Sequence, residues 1–267
     1  MKIWSVCNQK GGVGKTTSVV TLGGLLSSWG FRTLLVDLDP HGSLTSYFKM
    51  NPDEVELGVY NLFRDTSEKK KNVDPAIYLA QTEFDGLAVL PASTAIATLD
   101  RQVAQMGGMG LVVATALGKL KDRYDYVIID SPPMLGVLMI NALAACDHLI
   151  IPVLAEFLAL KGLDRMVHTI NMVFHSRKTA PKFTIVPTMF DKRTKAARES
   201  LVALHQQYPN NAWESVVPVD TKVRDASREG IPLPILDKNA KAVEAYSALL
   251  ELLLLEKSGD TPLANRT

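Results

Sequence analysis

The chain reads as a doubly wound α/β protein, with a mostly parallel sheet flanked by helices in a single domain. Three observations point there. Short runs rich in β-branched residues alternate with longer helical patterns almost from end to end. The short runs are apolar at successive residues rather than at every second one, as expected of strands covered on both faces. The first run also leads directly into a glycine-rich loop followed by a helical segment, the strand–loop–helix order of many α/β ligand sites.

The strands are expected at Ile3–Cys7, Thr33–Val36, Tyr126–Ile129, His148–Val153 and Phe183–Val186. Helical patterns occupy Lys15–Trp29, Ala92–Ala104, Gly110–Arg123, Gly136–Ala145, Leu158–Ser176, Thr194–Tyr208 and Asn239–Glu256. From Asn51 to Gly86 the rhythm breaks, and the segment, with Glu68-Lys69-Lys70-Lys71, is expected to be mainly a surface excursion. Its lysine run suits either a solvated face or a partner contact. The domain is expected to span residues 1–256, with a polar flexible tail over 257–267.

Composition limits the function classes. The 267 residues are 47% hydrophobic and 21% charged, which excludes a disordered chain or a disulfide-stapled miniprotein. Lys and Arg number 29 against 28 Asp and Glu, for a net charge of +1, so contact with nucleic acid or anionic lipid would need a local patch. Cys7 and Cys146 lie far apart in apolar stretches and are expected as buried reduced thiols. There is no signal-peptide pattern, and no uncharged apolar run approaches the roughly 18 residues of a membrane span. These features point to a cytoplasmic protein without integral membrane contact.

The strongest motif is Asn8-Gln9-Lys10-Gly11-Gly12-Val13-Gly14-Lys15-Thr16-Thr17. The general phosphate-loop pattern G-x-x-x-x-G-K-[ST] would place its first glycine where Gln9 stands, so one position departs from it. Its physics is intact. Gly11, Gly12 and Gly14 let backbone N–H groups curl around a phosphate, and the following helix aims its positive end at the same point. Lys15 is placed to bridge β- and γ-phosphates, Thr16 to ligate Mg²⁺ and Thr17 to help at the α-phosphate. A second cation at Lys10 is costly unless an anion compensates it, and a triphosphate would.

Acids follow at strand ends. Asp37-Leu38-Asp39-Pro40-His41-Gly42-Ser43 carries two at alternate positions beside the expected phosphate site, although an Asp-Pro turn would also use such residues. Asp130 ends the apolar run Tyr126-Val127-Ile128-Ile129 and is placed to hold Mg²⁺ directly or through water. No strong general base accompanies this set, so hydrolysis is expected to be slow and to serve a switch.

The segment Lys10-Gly11-Gly12-Val13-Gly14-Lys15-Thr16 resembles the hallmark K-G-G-x-G-K-[ST] of the deviant Walker A ATPases of the ParA/MinD type. Asp37-Leu38-Asp39-Pro40-His41-Gly42 is similar to that family's D-x-D-P-Q-G, with His41 in place of Gln, and Asp130-Ser131-Pro132-Pro133 resembles its switch II. The resemblance implies ATP and Mg²⁺ as cofactors and a homodimer when ATP is bound. It implies that Lys10 reaches the partner's ATP, that Asp39 orients the attacking water, and that Asp37 is its structural or Mg²⁺-linked neighbour.

The resemblance to the ParA branch continues through Ala155–Leu163, Pro187–Thr194 and Val217–Asp220. It places Met189, Pro218, Val219 and Asp220 beside the base, with Val219 and Asp220 departing from the usual I-P-R-N. Between Arg177 and Glu229, ten Lys and Arg face six acids, a surplus of four. The branch's nonspecific DNA contacts map onto Arg193 and Lys222, with Arg224 and Arg228 nearby; a solvated helical face is the other reading of these charges.

Softer motifs at Ala97–Arg101, Gly108–Leu111 and Asp220–Ser227 resemble the ParC-type ATPases that position chemotaxis arrays at the cell pole. That likeness implies an array-linked, ParP-like adaptor and a polar or nucleoid location. A plasmid or chromosome partitioning ATPase acting with a ParB-type protein is the alternative. A MinD-like membrane cycler would need a basic amphipathic C-terminal helix, whereas Ala240–Glu256 is expected to pack onto the domain. A nitrogenase-type reductase would need better placed cysteines than Cys7, and a ligase of the dethiobiotin synthetase kind would use the same loop on a small carboxylate.

Overall fold

The computed structural model describes residues 1–98, 108–174 and 181–255. Part of the Ala97–Arg101 motif, Arg177, Lys178 and the expected tail lie outside them.

Seven strands form one sheet in the order β3-β4-β2-β5-β1-β6-β7. They are β1 (Lys2–Val6), β2 (Thr33–Asp37), β3 (Ala80–Gln81), β4 (Leu87–Leu90), β5 (Tyr126–Asp130), β6 (His148–Leu154) and β7 (Lys182–Thr188). Among the described residues, only the β3–β4 pair is antiparallel. Strands β2, β4 and β5 are buried at every residue, which explains their unbroken apolar sequences.

The helices divide between the two faces. On one lie α1 (Lys15–Ser28), α2 (Ser43–Tyr47), α8 (Lys222–Glu229), α9 (Leu233–Leu236) and α10 (Lys241–Leu255), packed around Val19, Leu22, Leu26, Tyr246 and Leu250. On the other lie α3 (Val59–Ser67), α4 (Val112–Lys119), α5 (Val137–Ala145) and α6 (Phe157–Phe174), around Phe63, Leu117, Leu143 and Met166. Helix α7 (Lys195–Gln207) completes that layer with Leu204. The sheet therefore separates two cores, and the loops at its carboxyl edge are left to bind ligands.

Several elements differ from expectation. Strands β3 and β4 and helices α2, α3, α8 and α9 are additional. Helix α3 shows why the 51–86 segment is more than a surface excursion: Val59, Leu62 and Phe63 are buried in the core, and the polar Asn61 and Asp65 are buried with them. The Ala92–Ala104 pattern begins a helical turn at residues 96–98, and the remainder lies outside the described residues. Cys7 and Cys146 are free and buried, and burial pushes the Cys7 thiol up to about 12. The last helix packs as expected, through Val243, Tyr246, Leu249, Leu250 and Leu253. Among the described residues, no helix is long and apolar enough to cross a membrane.

Candidate nucleotide site

The site grows from three neighbouring strand ends. Asp130 on β5 lies opposite Val6 of β1 and Asp37 of β2, so the glycine loop after β1 and both acidic strand ends meet at one edge. The loop is fastened from below. Asn8 donates through Nδ2 to the Pro152 carbonyl at 2.7 Å and accepts from the Lys10 N–H at 2.9 Å. Thr188 donates to the Val13 carbonyl at 2.8 Å, tying the loop to β7. Gly12 and Gly14 adopt φ of 72° and 89°, a left-handed conformation costly for other residues and needed for the inward curl.

The two lysines diverge. Lys15 is buried, and its Nζ donates to the Lys10 carbonyl at 3.3 Å, inside the loop. Lys10 instead extends to Glu156, with Nζ and Oε2 3.4 Å apart and the two side chains 38% and 62% exposed. The compensating anion expected from a triphosphate is thus supplied partly by the chain itself. A pair this long and this exposed is weak and readily exchanged.

The acids also divide their work. Asp37 is fully buried: Oδ2 accepts from the Thr45 N–H and hydroxyl at 2.8 and 2.7 Å, and Oδ1 from the Asp39 N–H at 3.1 Å. It anchors the start of α2 and the turn carrying Asp39. Burial, against these bonds, raises its pKa to about 6. Asp130 is buried beside it and accepts from the Thr16 hydroxyl at 2.6 Å. Burial and then the neighbouring Asp37 charge push the Asp130 carboxyl well above its ordinary value. A cation would relieve both effects, so Asp130 and Thr16 fit a divalent metal. Among the described residues no three His, Cys, Asp or Glu cluster to hold one, so phosphate or water oxygens must complete its shell.

Asp39 is only partly buried and faces a cleft of about 510 Å³ lined by Gly11, Gly12, Lys15, Thr16, Thr17 and His41. A second cleft of about 500 Å³ is lined by Thr188, Met189, Val217, Pro218, Val219 and Asp220. Gly14, Thr17, Met189 and Ser227 line both, making one groove with a polar end at the loop, the expected phosphate end, and a more apolar end, the expected base end. Met189 sits at the junction with φ of 51°, uncommon for a side chain of its size, between neighbours pinned by the Thr188 hydroxyl and the Phe190 N–H.

Asp220, expected beside the base, is engaged by the fold itself. Its carboxylate accepts from the N–H groups of Lys222 and Ala242, helping to anchor the first turns of α8 and α10. Tyr47, Ser227 and Tyr246 line the groove without having been expected there. Tyr246 lies 2.7 Å from the Ser18 hydroxyl, a contact between residues 228 positions apart that no local pattern announces.

The candidate DNA residues lie apart from one another in their bonding. Arg193 forms a two-oxygen pair with Asp191, Lys222 pairs with Asp237, and Arg228 reaches Asp225 and Glu229 at 3.6 and 3.5 Å. Arg224 is exposed, has no ion pair among the described residues, and lines the base end of the groove.

Comparison with known proteins matches this layout. A family model described as an AAA domain covers residues 1–185. The sporulation initiation inhibitor protein Soj of Bacillus subtilis is 34% identical over 246 residues, covering 92% of this chain and 95% of Soj. The chain belongs to the ParA/Soj-type family of P-loop ATPases. The chromosome partitioning protein ParA of Myxococcus xanthus is 33% identical and covers 99% of the chain and 91% of its own length.

Among solved structures, cobyrinic acid a,c-diamide synthase from Mycobacterium smegmatis, with bound ATP analogue and magnesium, superposes with a TM-score of 0.83 at 30% identity and 100% coverage of both chains. A McdA–ATP complex from Cyanothece shares the fold, with a TM-score of 0.83 at 21% identity and 99% coverage of both. This ParA/Soj-type chain thus has the P-loop architecture along its full described length.

Proposed function

We propose that the chain binds ATP with Mg²⁺ in the groove, pairs with a second copy around the nucleotide, and reverses the pairing by slow hydrolysis to position or segregate a cellular cargo. The divergence of the two loop lysines carries this reading. Lys15 stays within the loop, whereas Lys10 leaves it for a weak, exposed pair with Glu156 that a partner's phosphate can replace. Thr16 and Asp130 would hold Mg²⁺, which would supply neutralising charge beside the phosphates. Asp37 fixes the turn from behind, and Asp39 accepts from the attacking water. The bound solved structure named above supports this choice of cofactors.

The softer motifs favour polar chemotaxis arrays as cargo, with an array-linked, ParP-like adaptor and a place on the nucleoid or at the pole of the cytoplasm. The relatives named for chromosome partitioning favour a second reading, a plasmid or chromosome partitioning ATPase working with a ParB-type protein. In either role the ATP-bound dimer contacts DNA nonspecifically through Arg193, Lys222, Arg224 and Arg228. A metabolic ligase is the remaining class, because one well-superposed structure is a synthase. Hydrolysis without a carboxylate substrate, stimulated by DNA or an adaptor, separates the switch from the ligase.

Light scattering with Mg²⁺ and ATP tests the central claim. Wild type is expected to shift from monomer to dimer, Lys10→Ala to bind ATP but stay monomeric, and Asp39→Ala to accumulate as a long-lived dimer. A Lys10→Ala protein that pairs as readily as wild type overturns the sandwich.

A further inference from the structure

We propose that His41 is a positioning residue for hydrolysis, holding one oxygen of Asp39 so that the other is presented to the attacking water. The proposal rests on the ATPase reading above. Its observation is a convergence of two donors on one atom: the His41 N–H and the ring Nδ1 lie 3.0 and 2.8 Å from Asp39 Oδ1. Because a carboxylate only accepts, Nδ1 carries the proton in this contact. Oδ1 is then engaged twice, whereas Oδ2 has no hydrogen-bond partner among the described residues, and Asp39 and His41 line the cleft together with Lys15 and Thr16.

The surrounding backbone leaves the imidazole as the adjustable part. The Asp39 N–H is held by Asp37 Oδ1 at 3.1 Å, and the Gly42 N–H donates back to the Asp39 carbonyl at 2.8 Å. Gly42 has φ of 61°, and a Cβ there would lie 2.4 Å from Pro52 Cγ, so the turn is tightly packed beneath His41. The His41 side chain itself is 80% exposed against 13% for Asp39. It therefore contributes little to the packed turn, and its one described polar contact is with the acid. A side chain serving only the turn would not need a second donor aimed at an oxygen already bonded by its own N–H.

Holding a general acceptor in one rotamer raises turnover by avoiding reorganisation at the moment of reaction, without strengthening ground-state nucleotide binding. Loss of one such bond is expected to lower kcat roughly fivefold to tenfold, within the net effect of a single hydrogen bond. Asn places an amide N–H near the position of Nδ1, so it restores the contact without an imidazole.

Steady-state ATP hydrolysis by the full chain with Mg²⁺, alongside thermal melts, provides the test. His41→Ala is expected to lose kcat by that factor with KM for ATP within about twofold of wild type, and His41→Asn to regain most of it. Wild-type kcat in His41→Ala, equal loss in both variants, or a change carried by KM overturns the proposal while leaving the ATPase reading intact. A wild-type protein that binds but never hydrolyses ATP overturns both.

Discussion

The phosphate end of the groove and the basic segment from Lys192 to Arg228 are both charged, yet they are built in opposite ways. At the phosphate end, Asp37, Asp130 and Lys15 are buried and the site is held by hydrogen bonds from packed side chains: Asp37 by Thr45, Asp130 by Thr16, and the loop by Asn8 and Thr188. In the basic segment the cations are exposed, and Arg193, Lys195 and Arg228 are answered by acids within four residues of themselves. Buried charges strongly perturb one another and await a ligand, whereas exposed pairs are screened by water and worth little. The first arrangement suits a site that must be empty or full. The second suits a surface that binds loosely and releases.

The largest effect expected from breaking this contrast is at Lys15. Its ammonium is buried within the loop, so Lys15→Ala is expected to remove the proposed charge-assisted contact to phosphate. Affinity for a fluorescent ATP analogue is expected to fall by more than about tenfold, on the order of 2 kcal/mol, with the fold unchanged in thermal melts. Undiminished binding would show that the glycine loop and helix end hold the phosphates without it.

A smaller effect, a gain in stability, is expected at Asp130. Its carboxyl, like that of Asp37, is more readily protonated in the fold than in the unfolded chain. The penalty for ionising it is therefore present above the folded pKa and relieved as pH falls toward the unfolded range. Asp130→Asn removes that penalty while retaining an acceptor for Thr16. The nucleotide-free protein should gain on the order of 1–2 kcal/mol at pH 8, less at lower pH, and lose its Mg²⁺-dependent stabilisation by ATP. His148 works the other way, since burial lowers its pKa to about 4, but it is shared by both proteins and cancels in the comparison. Melts at pH 8 and 5.5, with and without Mg²⁺ and ATP, check both signs; no gain at pH 8 would mean Asp37 alone carries the strain.

The two regions also differ in how legible they were. That the loop, Asp39 and Asp130 meet at one edge could be read because they stand in consecutive residues that bracket a strand or helix. Glu156, the anion beside Lys10, could not, being 146 residues away, and neither could Tyr246, which reaches Ser18 only after α10 packs on α1. Strand β4 was missed because Leu-Ala-Val-Leu is short, has one β-branched residue and follows a polar stretch, while α3 hides three core residues among polar ones. For the basic residues the sequence supplied a charge surplus but not its pairing, which depends on turns such as Asp191–Arg193 and on contacts such as Lys222–Asp237.

That pairing ranks the smallest expected effects. If nonspecific DNA binding uses available charge, Arg224 matters more than Arg193, because Arg193 already lies 2.7 Å from an Asp191 oxygen and Arg224 is unpaired among the described residues. Gel shifts with Mg²⁺ and ATP across a salt series should show Arg224→Glu weakening binding about tenfold and lowering the salt slope by about one. Arg193→Glu should cost less than about threefold, within the range of an exposed ion pair, and Asp191→Asn should strengthen binding by freeing Arg193. Because Arg224 also lines the base end of the groove, ATP binding by Arg224→Glu must match wild type for its loss to count against DNA. The reverse ranking would mean that a phosphate backbone displaces Asp191, making that local pair a latch opened by DNA rather than a neutralised charge.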